Sequence, residues 1–283
     1  MNYSALALIL TAGFAAVGAG SASAGVEGAA GLLPHRAVYD LQLKDASDRS
    51  GIEGMSGRMV YEFTGSACTG FTTNFRFVTR INSGEETRLT DQQTTTFEDT
   101  EAGQFRFETK SFTDEQMDKE VVGEAREDDS KVVVEIERPD PRQLELVASA
   151  FPTEHMLEVI KNARAGIRFF ETRIFDGSEN GDQSMVTNTV IGPQQTPDGT
   201  SADDDAGKAG EFADATYWPV TIAYFGEGGE GDATPVYTMS FKLYDNGITR
   251  DLTMDYGEFV LSGTLARLEL LDRPNCDPKQ PAQ

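Results

Sequence analysis

The stretch Ser56–Ile81 constrains this chain more than any other. Met59, Tyr61 and Phe63 fall on alternate positions, and Phe71, Thr73, Phe75, Phe77 and Thr79 repeat the pattern. Between the two runs lies Gly65–Gly70, a string of small turn formers around Cys68. In extended backbone successive side chains point to opposite faces, so each run reads as a half-buried strand, and the pair as an antiparallel hairpin. A lone hairpin is marginal in water, so its apolar face has to be covered by more of the same chain.

The remaining sequence supplies that cover. Ala37, Tyr39, Leu41 and Leu43 alternate with Arg36, Asp40, Gln42 and Lys44, and Phe105, Phe107 and Thr109 alternate with Arg106, Glu108 and Lys110. Leu89–Phe97 is Thr-rich and polar on both faces, which predicts an edge strand or one lining a wet concavity. Met117–Gly123 and Lys131–Glu137 flank the acidic turn Glu127–Ser130. Prolines in Arg138–Pro141 stop the ladder, and a weak segment follows at Gln143–Val147. Further strands are expected at Gly166–Asp176, Ser184–Ile191, Tyr217–Phe225, Val236–Asp245, Ile248–Tyr256 and Glu258–Leu271, with Asp245-Asn246-Gly247 as a hairpin turn. No fixed-period repeat is visible, and a sheet of about fourteen strands curls rather than staying open. The expected fold is all-β: one large curled antiparallel sheet, a β-spiral, with one short helix.

That helix begins near Phe151-Pro152-Thr153-Glu154, with Thr153 read as the N-cap. Met156, Leu157, Ile160 and Ala163 form its apolar stripe and Gly166 stops it. The stripe must lie against the sheet, or inside it if the sheet curls.

The N-terminus pairs an apolar run, Ala5–Val17, with Ala22-Ser23-Ala24, the small-x-small pattern of a signal peptidase site cleaving after Ala24. The run is short for a membrane span, and no lipidation cysteine follows it. Residues 1–24 are therefore expected to be a cleaved signal peptide and 25–34 a linker. Residues 35–276 form one domain, with 192–210 a mobile acidic loop and 277–283 a tail. With 24 Lys+Arg against 47 Asp+Glu, the formal charge is −23. Nucleic acid and anionic lipid surfaces need clustered Lys and Arg, so neither is an expected partner.

Chemistry-bearing patterns are sparse. Asp176-Gly177-Ser178-Glu179-Asn180-Gly181-Asp182 opens like a calcium loop, but its twelfth position is Thr187 and its flanks read as strands, so a hairpin tip is expected. Asp203-Asp204-Asp205 carries acids with nothing to preorganise them. His35 and His155 lack metal-ligand spacing, and no GxSxG occurs, so no metal, cofactor or catalytic residue is expected. His155 reads as a capping or packing residue at the second helical position. It would also be the best candidate if the chain were a hydrolase of envelope polymers, for which acid pairs offer no specific signal. Trp218, Tyr224, Phe225, Tyr237, Phe241, Tyr244 and Tyr256 alternate along successive strands. They are either ordinary core or the lining of a groove for a lipid or peptide. Two cysteines, Cys68 and Cys276, in an exported chain suggest one disulfide, two separate thiols being the alternative.

FPTEH followed by a short helix, then FDGS, VIG, YWPVTIAYF, SFKLYDNGITRDLTMDYGEF and the terminal Cys276 occur in an order that resembles the alphaproteobacterial cell-envelope integrity family EipB, formerly a domain of unknown function. The likeness runs from His35 to Cys276. It implies a periplasmic, non-enzymatic protein folded as a β-spiral similar to the Lol-type lipoprotein carriers, with Cys68 and Cys276 joined as a clasp of the curled sheet. It further implies a role in envelope stress resistance and a periplasmic tetratricopeptide-repeat protein as functional partner. A monomer is expected, with a protein partner or an apolar ligand on the inner face and a lipid or lipoprotein carrier as the alternative.

Overall fold

The structure is a computed structural model that describes residues 31–197, 205–226, 234–274 and 276. The signal segment with Ala24, most of the linker, Asp203, Asp204 and the tail lie outside the described residues. Fourteen strands form one antiparallel sheet among those described. They are β1 (His35–Ala46), β2 (Gly54–Ser66), β3 (Gly70–Ser83), β4 (Glu86–Asp99), β5 (Gln104–Thr113), β6 (Gln116–Asp128), β7 (Lys131–Arg138) and β8 (Arg142–Val147), then β9 (Phe169–Ile174), β10 (Met185–Ile191), β11 (Tyr217–Gly226), β12 (Tyr237–Tyr244), β13 (Thr249–Asp255) and β14 (Phe259–Leu270). One α-helix, α1 (Pro152–Ala165), joins β8 to β9.

The order is two meanders, β1 to β8 and β9 to β14, laid side by side through the β1–β14 pair. The strands at the two ends, β8 and β9, come back together. Ala150, just past β8, donates its N–H to the Arg173 carbonyl at 2.9 Å and accepts from Phe175 N–H at 3.0 Å. The sheet therefore curls until one residue stitches its ends. Bulges at Val38/Tyr39 and Leu43/Asp45 in the β1–β14 ladder add the local twist that such curling needs.

Alternation decides which face is inside. Ala37, Tyr39 and Leu41 of β1 oppose Tyr61, Met59 and Gly57 of β2, and directly opposed residues share a face. These side chains join Val220, Ile222, Phe241 and Leu265 in the main core, against which α1 packs Val159, Ile160 and Ala163. A second core holds Phe105, Phe107, Val121, Val134, Ile136, Phe151 and Phe175. The Asp176–Asp182 loop seals it. Gly177 and Gly181 have φ of +70° and +66°, and a Cβ on either would lie under 3 Å from the Phe107 ring. The loop is thus a hairpin connection packed inward, with Asp176 accepting from Ser178 N–H and Asp182 paired with Arg142.

Three expectations change. Leu32 and Leu33, read as linker, belong to the fold: Leu32 is buried and Leu33 N–H bonds the Asn246 carbonyl. The supposedly mobile loop 192–210 is ordered at both described flanks. Gln195 bridges Tyr217, and a 3-10 segment, Ala206–Phe212, packs on the domain with Ala209 fully buried. The Cys68–Cys276 disulfide is present, yet it is not the clasp of the curl. It fastens the segment after β14 to the β2–β3 turn in mid-sheet, while the seam lies between β8 and β9.

Candidate functional site

The register exposes a change of chemistry across the inner face. The row Tyr39–Met59–Phe77 runs apolar through β1, β2 and β3, then continues as Gln92 and Ser111 on β4 and β5. Its neighbour Leu41–Gly57–Thr79 continues as Thr90 and Thr113. The Thr-rich β4 is therefore no edge strand; it lines a concavity, the second of the two roles its composition allowed.

Here the curl leaves a cleft of about 340 Å³. One wall is apolar and aromatic: Met55, Phe77 and Ile81, faced by Tyr256, Phe259 and Leu261 from the β13–β14 hairpin. The other is polar, with Thr90, Gln92, Ser111, Thr113 and Asp118. A bulge in the β5–β6 ladder at Ser111/Phe112 leaves Asp118 without an opposite residue and turns it to this wall. Tyr256 stacks on Phe259 with ring centroids 4.9 Å apart, and the row continues through Tyr237 at 6.0 Å and on to Tyr224 at 4.2 Å. Burial raises the phenol pKa of all three tyrosines, so the row is neutral, and Tyr256 is its member on the cleft.

Of the seven aromatics picked out in the sequence, Tyr224, Tyr237 and Tyr256 form this row. Trp218, Phe241 and Tyr244 are buried core, and Phe225, next to Tyr224 in a strand, points to the other face. Phe259, Gln92, Ser111 and Asp118 were not anticipated. Cross-strand register selects the first three and a bulge the fourth, and neither is written in a local pattern.

The opposite end of the inner face holds a latch. Glu98 of β4 is buried, and its carboxylate accepts Thr153 N–H at 2.7 Å and Glu154 N–H at 2.9 Å. It occupies the N-terminus of α1, where the N–H groups of Phe151, Thr153 and Glu154 lack helical acceptors, Pro152 having no N–H, and the helix dipole favours negative charge. Thr153 is thus not the N-cap. Phe151 holds that position, its N–H bonded to Glu154 at 3.1 Å, and the capping carboxylate arrives from a strand 55 residues away. His155 is the fourth helical residue instead of the second. It is buried edge-on to Phe170, and desolvation lowers its pKa to about 4, which keeps it neutral.

Burial raises Glu98 to about 7, against the pull of its two helix donors, and raises Glu154, beside Glu127 and Glu98, to about 8. Both ordinarily titrate at 4.5. A carboxyl raised by folding holds its proton in the folded state where the unfolded chain has released it. Stability from this pair is complete below pH 4.5 and declines as pH rises through 7 and 8. Thermal melts should show the protein more stable at pH 5 than at pH 8, by an amount on the order of 2 kcal/mol. Glu154→Gln should flatten that slope; an unchanged slope would show that Glu154 does not contribute to it.

Among the described residues no three His, Cys, Asp or Glu side chains are grouped to hold a metal ion, and no helix is long and apolar enough to cross a membrane.

Comparison with known proteins agrees with this architecture. The chain is 50% identical over 266 residues to the cell envelope integrity protein EipB of Brucella abortus (strain 2308), covering 94% of this chain and 91% of that one. The crystal structure of a β-barrel-like protein of the domain of unknown function DUF1849, also from Brucella abortus, superposes with a TM-score of 0.81. It shares 50% identity and covers 85% of this chain and 99% of its own. The EipB-like family matches residues 26–272, and the chain belongs to that family.

Proposed function

We propose that this chain is a non-catalytic periplasmic protein that supports the integrity of the cell envelope by holding a ligand, through an apolar face of that ligand, in the two-walled cleft. The cleft carries the reading: an aromatic row set against the inner wall of a curled sheet is a concave, partly apolar surface of the size small ligands use. The signal pattern at Ala22-Ser23-Ala24 and the disulfide both suit an oxidising, exported location. Likeness to a protein named for envelope integrity supports the process. The protein acts as a monomer, in concert with a periplasmic tetratricopeptide-repeat protein. A lipid or lipoprotein carrier of the Lol type would use the same cleft.

Complementation tests this. A strain lacking the gene should become sensitive to detergents and cell-wall antibiotics, and the wild-type gene and His155→Ala should restore resistance. The double variant Tyr256→Ala/Phe259→Ala, on the rim of the cleft, should be exported at normal levels yet fail to restore it. Full rescue by that variant would remove the cleft from the function, and a strict requirement for His155 in a folded protein would point to a hydrolase.

A further inference from the structure

The two walls of the cleft make different demands on an occupant. Tyr256 and Phe259 offer stacked ring faces, and Tyr256 is 37% exposed. Across from them, the side chains of Gln92, Ser111, Thr113 and Asp118 hydrogen-bond to no other described residue. A hydrocarbon chain laid against that wall would strip water from four polar groups and return nothing, which is costly for each. An extended peptide fares no better. β2, β3, β4, β5, β13 and β14 each have neighbours on both sides, so their ladders offer no free edge for an added strand.

A pyranose ring meets both demands. Its C–H faces are flat and apolar and stack on aromatic rings, while its hydroxyls project around the rim as paired donors and acceptors. Gln92, Ser111 and Thr113 can each donate and accept, and Asp118 accepts. The charge of the ligand is set by the surroundings: the chain carries −23, and Asp91 on the same cleft is already taken by Arg76 at 2.8 Å. Phosphate- or uronate-bearing polymers would be repelled. We infer that the cleft binds an uncharged glycan, its ring faces on Tyr256 and Phe259 and its hydroxyl edge on the β4–β5 wall. This rests on the cleft being the ligand site.

The mature chain should be titrated by calorimetry with the tetrasaccharide of β-1,4-linked N-acetylglucosamine and, separately, with lauric acid. Saccharide binding is expected, weakened about tenfold by Tyr256→Ala and to a similar extent by Gln92→Leu, at unchanged melting temperature. Co-sedimentation with chitin, the uncharged polymer of the same sugar, distinguishes a polymer strand from a free oligosaccharide, and binding to either sustains the inference; preferential binding to anionic peptidoglycan sacculi would overturn the uncharged assignment. If the fatty acid binds in a Tyr256-dependent way and the saccharide does not, the glycan assignment falls while the cleft stands as a ligand site. If neither binds, the glycan assignment falls, and the cleft falls with it only if Tyr256→Ala/Phe259→Ala also restores resistance in full. Saccharide binding indifferent to both substitutions overturns the assignment as well.

Discussion

Replacing Cys68 by alanine should lower the melting temperature by roughly 10 °C, and Cys276→Ala should lower it equally. The Cys68–Cys276 bond spans 208 residues of sequence. Cross-linking so long a loop removes denatured-state entropy worth about 5 kcal/mol on the chain-entropy model, and measured effects are often 2–4 kcal/mol. The folded state offers little to offset the loss of the bond. β14 is already paired along its length with β1, and β1 with β2, so the end of β14 is held near the end of β2 by ladders that do not depend on the bond. The effect therefore lies mainly in the unfolded chain, and the inner face should keep its shape. Each single variant removes the same cross-link, so the double variant should be no less stable than either single one. Single variants that differ by more than a few degrees would show that one sulfur does something besides pair, and a loss of ligand binding at low temperature would show that the bond shapes the cleft.

The fold was legible because its governing signal is local. Period-2 alternation in β1, β2, β3 and β5 specifies both strand and buried face, and Asp245-Asn246-Gly247 specifies a turn, with Gly247 at φ +86°. Fourteen strands and one helix follow from summing such segments. Features that depend on register or long-range capture were not legible. Thr153 had the composition of an N-cap, but the helix starts one residue earlier at Pro152, and Glu98, buried on a strand, accepts the Thr153 and Glu154 N–H groups. Gln92 and Ser111 look like solvent-facing residues until the register, Phe77 opposite Gln92 and Gln92 opposite Ser111, places them on the inner wall. The clasp was misplaced for a related reason: a disulfide between distant cysteines suggests a closure, whereas the sheet is closed by a backbone bridge at Ala150, which has no sequence signature.

These corrections also separate what holds the curl from what it offers. The seam, the helix latch and the second core lie where Phe105, Phe107, Phe151 and Phe175 pack ring against ring. The cleft lies elsewhere on the inner face, where the chain places threonine, glutamine and serine in place of further aromatics. A purely structural sheet would gain by filling that region with apolar side chains, as β1, β2 and β11 do. Polar residues facing an aromatic rim are what a concave surface keeps when it must admit a partly polar guest.

Asp205→Ala should destabilise the protein by about 3–5 kcal/mol, far more than loss of a residue from a mobile acidic loop. The reason is visible where β13 and β14 part beyond the Leu252–Gly263 pair. One carboxylate oxygen of Asp205 fills the gap, accepting Asp251 N–H at 3.1 Å and Leu265 N–H at 2.5 Å. The other accepts from Arg250 Nη1 at 3.1 Å. Arg250 and Asp205 have side chains 0% and 1% exposed, and the guanidinium also donates to Tyr244 Oη at 2.8 Å and lies 5.0 Å over the Tyr217 ring. Removing the carboxylate takes a paired charge away from a buried guanidinium and leaves the Leu265 and Asp251 N–H groups without this acceptor. Arg250→Met retains the apolar stem and removes the charge, so Asp205→Ala in that background should cost less than it does alone, with a coupling of at least 1 kcal/mol in chemical denaturation. Additive losses would mean that Asp205 acts only through the two N–H groups. A loss under 1 kcal/mol for Asp205→Ala alone would mean that the 3-10 segment is not anchored there.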